Sequence, residues 1–327
     1  MARGSEGKAL LLDALSLARN IESPEWEFAS LWGLFGISDL SHEERTNLTN
    51  EYHARSRQGV SVNNLASTLA TMVTAHLANG DRAEALELSS ELEAIANETR
   101  NTRVIHASEL IRRVLRILDG AIEESDLDFF GLAQPSWGAA VASWLGKEQR
   151  ELPVSGEDSL QDRVLAALVL ARRGEVARAD QQVAVLTTEF PDLESSAHVE
   201  HLVNLLETAF LIGDRVVCER LYSCLRKRGL GTPLSNFATR PQQRIMGSAA
   251  TLLSHFSEAK DFFGQAAELC KKIGHRPELA LSRAHLAELL LDHYPDERDA
   301  AIEHLDFAIA EFQDMKMQPA PGAGAGA

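Results

Sequence analysis

The stretch FSEAKDFFGQA, residues 256–266, places apolar and small side chains at the three- and four-residue spacing of one helix face. That face consists of Phe256, Ala259, Phe263 and Ala266. A small residue such as Ala259 lets a neighbouring helix approach closely, and the aromatic ring four residues later fills the space beside it. The stretch therefore predicts the second helix of a closely packed helix pair.

Other segments repeat this pattern. In each of them a first helix ends at a short turn, commonly Gly followed by Asp or Glu, and a small residue follows about five positions later in a second helix. The turn and its small residue are Gly80 with Ala85, Gly174 with Ala179, Gly213 with Cys218, Ser254 with Ala259, and the longer turn 293–297 with Ala301. The period is about 34 to 42 residues, which indicates stacked helix pairs.

No segment shows sustained two-residue alternation rich in β-branched and aromatic residues, so the chain is predicted to be all-α. The second-helix pattern resembles that of tetratricopeptide repeats, and Pro191 matches the proline that often closes such a repeat. The fold expected is a right-handed superhelix of about seven helix pairs. We expect N-terminal repeats over 1–123, an irregular joint over 124–157, C-terminal repeats over 158–317 and a low-complexity tail over 318–327.

The resemblance extends to a family of large bacterial signalling ATPases, including LuxR-type (MalT-like) regulators and adenylate-cyclase-linked proteins. Their C-terminal repeat region is similar to GDRVVCERLYSCL at 213–225, to residues 256–317, and to N-terminal segments at 10–34 and 42–59. The resemblance implies a non-catalytic scaffold for protein–protein interaction or ligand sensing in bacterial signalling or transcription regulation. Because the chain has no G-x-x-x-x-G-K-[ST] phosphate loop, we expect the sensor part alone, as a short gene product or a fragment.

Charge and composition exclude several classes of function. The chain has 48 acidic and 32 basic residues and a net charge of −16, which disfavours binding to nucleic acid or to an anionic membrane. It has no apolar run of about 18 residues, so no membrane span is expected. Its three cysteines, too few for a disulfide framework, favour a cytoplasmic protein.

The first helices of such an array usually line its partner surface. The family pattern places eight candidate groove positions there, with half-exposed charges that suit a protein or peptide carrying basic and apolar side chains. An alternative is that these positions merely face water. The candidates are Glu200, Val203, Glu207, Phe210, Arg244, Ser248, Glu288 and Asp292.

Two pairs of residues, each containing histidine, are candidate metal or catalytic sites. His198 lies three residues before His201, and His285 lies three before Glu288, but neither pair has a third ligand at fixed spacing. No cofactor, metal or catalytic residue is therefore assigned. The alternative function is a hydrolase with a histidine–carboxylate or metal site in the groove.

Aromatic residues concentrate near the N-terminus, where Trp26, Phe28, Trp32 and Phe35 fall at helical spacing. We expect them to form core between the first helix pairs. The alternative is a partner-facing aromatic patch.

Overall fold

The computed structural model describes residues 2–36, 42–133, 135–144, 146, 159–190, 193–228, 234–235 and 240–317. These residues are helical apart from short connections and two strands of two residues each, so the all-α prediction is confirmed. The chain divides into two compact units, one of residues 1–116 with 231–239 and one of residues 117–230 with 240–327.

The first unit is built from helices that pack in chain order, α1 on α2, α2 on α3 and α4, and α4 on α5. Its helices are α1 (Ala2–Asn20), α2 (Pro24–Phe35), α3 (His42–Ala54), α4 (Val62–Ala78), α5 (Arg82–Thr99) and most of α6 (Thr102–Leu118), and it also contains strand β1 (Leu234–Ser235). Ser61 and Asp81 cap α4 and α5, each side chain accepting a hydrogen bond from the backbone N–H three residues on.

The aromatic residues of α2 take two different positions. Phe28 and Phe35 are buried, and Phe28 packs edge-on against Tyr52 with ring centroids 5.3 Å apart. Trp26 and Trp32 are 63% and 49% exposed. The predicted core position is therefore confirmed for the phenylalanines and wrong for the tryptophans, because α2 buries the face of Phe28, Leu31 and Phe35.

The second unit is a succession of helix pairs. Its elements are α7 (Glu124–Ala133), α8 (Pro135–Trp144), α9 (Leu160–Arg172), α10 (Val176–Glu189), the short α11 (Leu193–Ser196), α12 (Val199–Ile212), α13 (Arg215–Arg228), strand β2 (Arg240–Pro241), α14 (Gln242–Leu252), α15 (Phe256–Ile273), α16 (Arg276–His293), a 3₁₀ turn (Pro295–Glu297) and α17 (Arg298–Asp314).

The order of packing within this unit is regular. Each of the first helices α9, α12, α14 and α16 packs against the second helix that follows it, and α9, α12 and α14 also pack against the next first helix. The small residues predicted to permit close approach are all fully buried, and they are Ala85 in the first unit and Ala179, Cys218, Ala259 and Ala301 in the second. Helix pairing by small residues is thus confirmed at each predicted position.

The turns between paired helices use the left-handed backbone region. Gly213 ends α12 with a φ of 75°, and its N–H donates to the carbonyls of Ala209 and Phe210. Ser254 replaces the glycine between α14 and α15 and still has a φ of 69°. A residue with a Cβ is strained there, so this turn costs the chain about 1 kcal/mol.

Helices occupy much of the segment where an irregular joint was expected. Helix α7 has Glu124 and Asp126 in its first turn, where the positive end of the helix dipole stabilises their negative charges. Helix α8 begins at Pro135, where the missing N–H of proline has no helical partner to lose. Residues 145, 147–158 and the predicted tail 318–327 lie outside the described residues.

Candidate functional site

The inner face of the second unit brings together charged side chains from four first helices. The contacts join residues separated by about one helix pair in sequence, with separations of 35 for Arg172 and Glu207, 34 for Arg244 and Glu278, and 37 for Ser248 and His285. We call Arg172, Asn204, Glu207, Arg240, Arg244 and Glu278 the inner charge cluster. Each of these side chains is directed to it by its place on α9, α12, β2, α14 or α16.

Glu207 of α12 is the centre of the cluster. One of its carboxylate oxygens accepts from Nη2 of Arg172 at 2.9 Å, and the other accepts from Arg240. Arg172 also donates to the backbone carbonyl of Ala140 at 3.0 Å, and Arg240 also donates to Oδ1 of Asn204. Both arginine side chains are only 4% exposed, so Glu207 binds two buried guanidiniums.

A two-bond ion pair continues the cluster from α14 to α16. Arg244 donates from Nε and Nη2 to the two carboxylate oxygens of Glu278, at 2.5 and 3.1 Å, and Glu278 is fully buried. Nη2 of Arg244 also lies 3.6 Å from Glu207. The fork of the guanidinium matches both oxygens of a carboxylate, which fixes the relative position of the two helices.

The electrostatic balance in the cluster favours its charged forms. Burial alone would raise the pKa of Glu207, but the guanidiniums of Arg172, Arg240 and Arg244 outweigh burial and hold that pKa well below its usual value. Burial lowers the pKa of Arg240 to about 10, so Arg240 is still protonated at neutral pH. The pKa of Arg244 is raised despite its burial, because Glu278 and Glu207 stabilise its charge.

A serine–histidine contact lies further along the same two helices, one turn after Arg244 on α14 and two turns after Glu278 on α16. Oγ of Ser248 is 3.3 Å from Nδ1 of His285, and Ser248 also donates to the carbonyl of Arg244 at 3.2 Å. Desolvation and the neighbouring Arg244 lower the pKa of His285 to about 3. At neutral pH this imidazole is uncharged and a weak base, which makes it a poor general base for activating Ser248.

Elements from opposite ends of the second unit enclose the cluster. Trp144 of α8 packs edge-on against His275, which precedes α16, with ring centroids 5.9 Å apart. Gly120, before α7, lies so close to Met315, after α17, that a Cβ at position 120 would overlap the methionine sulfur. The first and last parts of this unit are therefore in contact, and its inner face is closed.

The predicted groove residues separate into two groups. Glu207, Arg244 and Ser248 come together in or beside the inner charge cluster, whereas Val203 lies in the apolar core. The expectation of half-exposed charges is wrong for Glu207 and Arg244, which are 5% and 4% exposed. The closure of the unit and pairing with other first helices bury them.

The remaining predicted residues are accessible. Glu200 and Phe210 on α12 are half-buried, and Glu288 and Asp292, one turn apart on α16, are exposed. We call Phe210, Glu288 and Asp292 the accessible rim.

Arg172, Arg240 and Glu278 were missed by sequence reasoning. For Arg172 and Glu278 the available signal was their spacing of 35 and 34 residues from Glu207 and Arg244.

The other histidine pair has a structural role. Nδ1 of His198 accepts from the N–H of Glu200 and caps α12, and its ring lies 6.1 Å from that of His201. Burial lowers the pKa of His201, with the neighbouring His198 adding to the shift. Within the described ranges, no group of three or more His, Cys, Asp or Glu residues is arranged to hold a metal ion.

Comparison with known proteins does not show a family to which the chain belongs. No protein-family model matches the chain, and no curated protein matches it either. None of the helices among the described residues is long and apolar enough to span a membrane.

Proposed function

We propose that this protein is a non-catalytic binding scaffold, and that its second unit is the part that positions a protein or small-molecule partner. The observation that supports the proposal most strongly is the recurrence of side-chain contacts between first helices at separations of 34 to 37 residues. Such a recurrence is expected of a repeat array, in which each helix pair contacts the neighbouring pairs and the successive first helices form one continuous surface.

The finer form of the proposal is a tetratricopeptide-like right-handed superhelix of about seven helix pairs, serving a cytoplasmic bacterial signalling or transcription-regulating system. The packing of small residues at each turn supports the tetratricopeptide-like character. The signalling role rests on the sequence resemblance alone.

The accessible rim is the proposed contact surface for a partner protein or peptide. Glu288 and Asp292 present two carboxylates one turn apart on α16, and Phe210 is half-buried on α12. A partner with basic and apolar side chains complements these groups. The buried Glu207 and Arg244 do not reach such a partner, so their role is to hold the first helices in register.

The test is capture of partners from a bacterial lysate by the wild-type chain and by rim variants. Phe210→Ala and Glu288→Lys should lose a partner that the wild type retains. Val216→Ser is a matched control, because Val216 on the second helix α13 is 80% exposed and lies outside the rim. Retention of the same partners by all four proteins would contradict the proposed surface.

The second candidate function is hydrolysis, and the contact between Ser248 and His285 is the observation that favours it. In that case Ser248 would be the nucleophile and His285 the base. Turnover of ester and phosphoester substrates by the wild type, abolished by Ser248→Ala and by His285→Gln, would support hydrolysis over scaffolding. Measurement of the metal content of the purified chain would test a metal-dependent version.

A further inference from the structure

One side of the first helix is apolar and exposed. Leu10, Ala14, Leu17 and Ile21 recur at spacings of four, three and four residues, which places them in one line along a helix. Leu10, Leu17 and Ile21 are 69%, 60% and 58% exposed, and Ala14 is exposed as well. Ile21 directly follows α1, and its N–H still donates to the carbonyl of Leu17, so the line extends to that residue. We call these four residues the α1 stripe.

The α1 stripe lies beside the contact with α2 and points away from α3. Leu11 touches α2, because a Cβ at Gly33 would meet the Leu11 side chain. On another side of α1, Arg19 forms an ion pair with Glu51 of α3. Leu17 precedes Arg19 by two residues, a turn of about 200° around the helix, so the stripe is directed away from α3.

Trp32 of α2 extends the apolar surface. Helices α1 and α2 are joined by a turn of three residues, 21–23, and they pack against each other, so they run antiparallel. Leu10 and Trp32 each stand one residue before the contacting pair, Leu11 and Gly33. In an antiparallel pair, one step back on both helices turns both side chains to the same side. Trp32 is 49% exposed and therefore adds an indole ring to the side on which the α1 stripe lies.

This surface carries little charge, although the chain has a net charge of −16. From residue 10 to residue 21 only Asp13 and Arg19 are charged, and Arg19 is paired with Glu51. A partner selected by charge, such as a basic peptide, therefore meets no matching row of charges here. The surface suits an apolar and nearly neutral partner surface, and a second copy of this chain has one.

The order of residues makes the α1 stripe self-complementary. When two copies of α1 pair antiparallel about a two-fold axis between residues 15 and 16, Leu10 of one copy lies opposite Ile21 of the other, and Ala14 lies opposite Leu17. Large side chains then pack together at both ends of the contact, and the small Ala14 leaves room for Leu17 in the middle. The spacing of four, three and four residues is that of a coiled-coil seam.

The exposed area also suits a dimer. At their exposed fractions, Leu10, Leu17, Ile21 and Trp32 each present roughly 100 Å² to solvent. Together they supply about half of the roughly 800 Å² that each partner buries in a standard interface, before Ala14 and the surrounding surface are counted. Burial of this apolar area is the driving force for pairing.

We propose that this protein forms a two-fold dimer through the α1 stripe and Trp32, with α1 of one copy antiparallel to α1 of the other. This inference goes beyond the proposed scaffold function and does not depend on the accessible rim. The dimer carries two accessible rims, so a partner with two binding segments gains affinity from binding both.

The experiment is sedimentation velocity of the purified full chain from about 1 to about 100 μM. The first variant is Leu17→Glu, which places a carboxylate in the middle of the contact. Trp32→Gln is a second variant, on α2, which keeps the test valid if a charge on α1 disturbs that helix. Leu12→Glu is the matched control, because Leu12 is on the same helix and 45% exposed but lies about 140° around it from Leu17. Circular dichroism establishes that all the variants are folded.

The expected result is a reversible dimer of the wild type whose fraction rises with concentration. Leu17→Glu should raise the dissociation constant of the dimer at least about tenfold, because its carboxylate would be buried without a counter-charge. Trp32→Gln should raise it at least about threefold, because a large apolar contact is lost. Leu12→Glu should dimerise like the wild type.

Three outcomes would overturn the inference. The first is a monomeric wild type at every concentration. The second is a dimer whose dissociation constant is the same in Leu17→Glu and Trp32→Gln as in the wild type, which would place the interface elsewhere. The third is equal weakening by Leu12→Glu and Leu17→Glu, which would show that the stripe is not the contact. None of these outcomes affects rim-dependent capture of partners, so failure of the dimer and failure of the scaffold function are distinguishable.

Discussion

The imidazole of His275 lies edge-on against the indole of Trp144, at an interplanar angle of 85°. His275 immediately precedes α16 and Trp144 is the last residue of α8, so the contact joins a late helix pair of the second unit to an early one. The contact between Gly120 and Met315 joins the ends of the same unit. Both contacts explain why side chains expected in an open groove are buried.

The closure can be tested at Gly120, for which the chain offers a matched control. Gly120 and Gly174 have φ values of 69° and 74°, but only Gly120 has a neighbour where a Cβ would stand. We expect Gly174→Ala to cost about 1 kcal/mol from backbone strain alone. Gly120→Ala should cost about 1–3 kcal/mol more, because the Cβ overlaps Met315. Urea unfolding measures both.

A third variant makes the Gly120 test specific. Combining Gly120→Ala with Met315→Ala should recover most of the extra cost, because the overlapping side chain is removed. If Gly120→Ala and Gly174→Ala prove equally destabilising, residues 120 and 315 are not in contact in solution.

The buried pair of Arg244 and Glu278 should show strong energetic coupling. Arg244→Met or Glu278→Gln alone leaves a buried charge without its partner and should destabilise the second unit by about 3–5 kcal/mol. The double variant should cost much less than the sum of the two. Additive losses in a double-mutant cycle would show that the ion pair does not form.

The depressed pKa of Glu207 predicts a specific dependence of stability on pH. In the unfolded chain Glu207 titrates near 4.5, whereas in the folded protein its pKa is lower. Its contribution to stability is therefore complete above about pH 5 and declines as the pH falls through 4.5 towards the folded pKa, by at most about 1.4 kcal/mol per pH unit. The Glu207→Gln variant has no carboxyl group at this position, so its stability does not include this dependence on pH.

Comparing the wild type with Glu207→Gln removes the effect of the other carboxyl groups, because those groups titrate in both proteins. The stability difference between wild type and Glu207→Gln, measured by urea unfolding, should be largest at neutral pH and shrink between pH 5 and pH 3. A difference that stays constant over that range would mean that Glu207 has an ordinary pKa in the folded protein.

The small residues on α15 should not tolerate enlargement. Ala259 and Ala266 are both fully buried on the face that packs against neighbouring helices. Ala259→Leu or Ala266→Leu should therefore destabilise the second unit by about 1–3 kcal/mol through overpacking. Ala267→Leu is the control, because Ala267 is on the same helix and only half-buried. Unchanged urea midpoints for the first two variants would place these alanines outside the helix contact.

Local spacing predicted the helix pairs well because the small residues and turns that define a pair lie within one repeat. Ala179 and Ala259 could be assigned to helix contacts from the sequence alone, and they are buried there. The spacing also placed Glu207, Arg244 and Ser248 on one face. Their burial could not be predicted, since it depends on Trp144 and Met315, which are distant in sequence.

Arg240 escaped prediction for a different reason. It lies on β2, outside any helical pattern, and only the fold brings it to Glu207. The sequence also suggested a partner surface with more acids than bases. The structure places acidic Glu288 and Asp292 on the outside, whereas Glu207 and Glu278 are buried in ion pairs with the three arginines.

Quantitative capture from lysate, comparing Phe210→Ala and Glu288→Lys with Val216→Ser, measures the scaffold function itself. Circular dichroism and thermal unfolding of each variant establish first that all of them are folded, which is expected because none of the three positions is in the buried core. We expect one set of partners to bind wild type and Val216→Ser equally and to be depleted at least about fivefold from the two rim variants, with weaker capture at raised salt. Equal recovery from all four proteins, unaffected by salt, would contradict a partner-binding role for the rim.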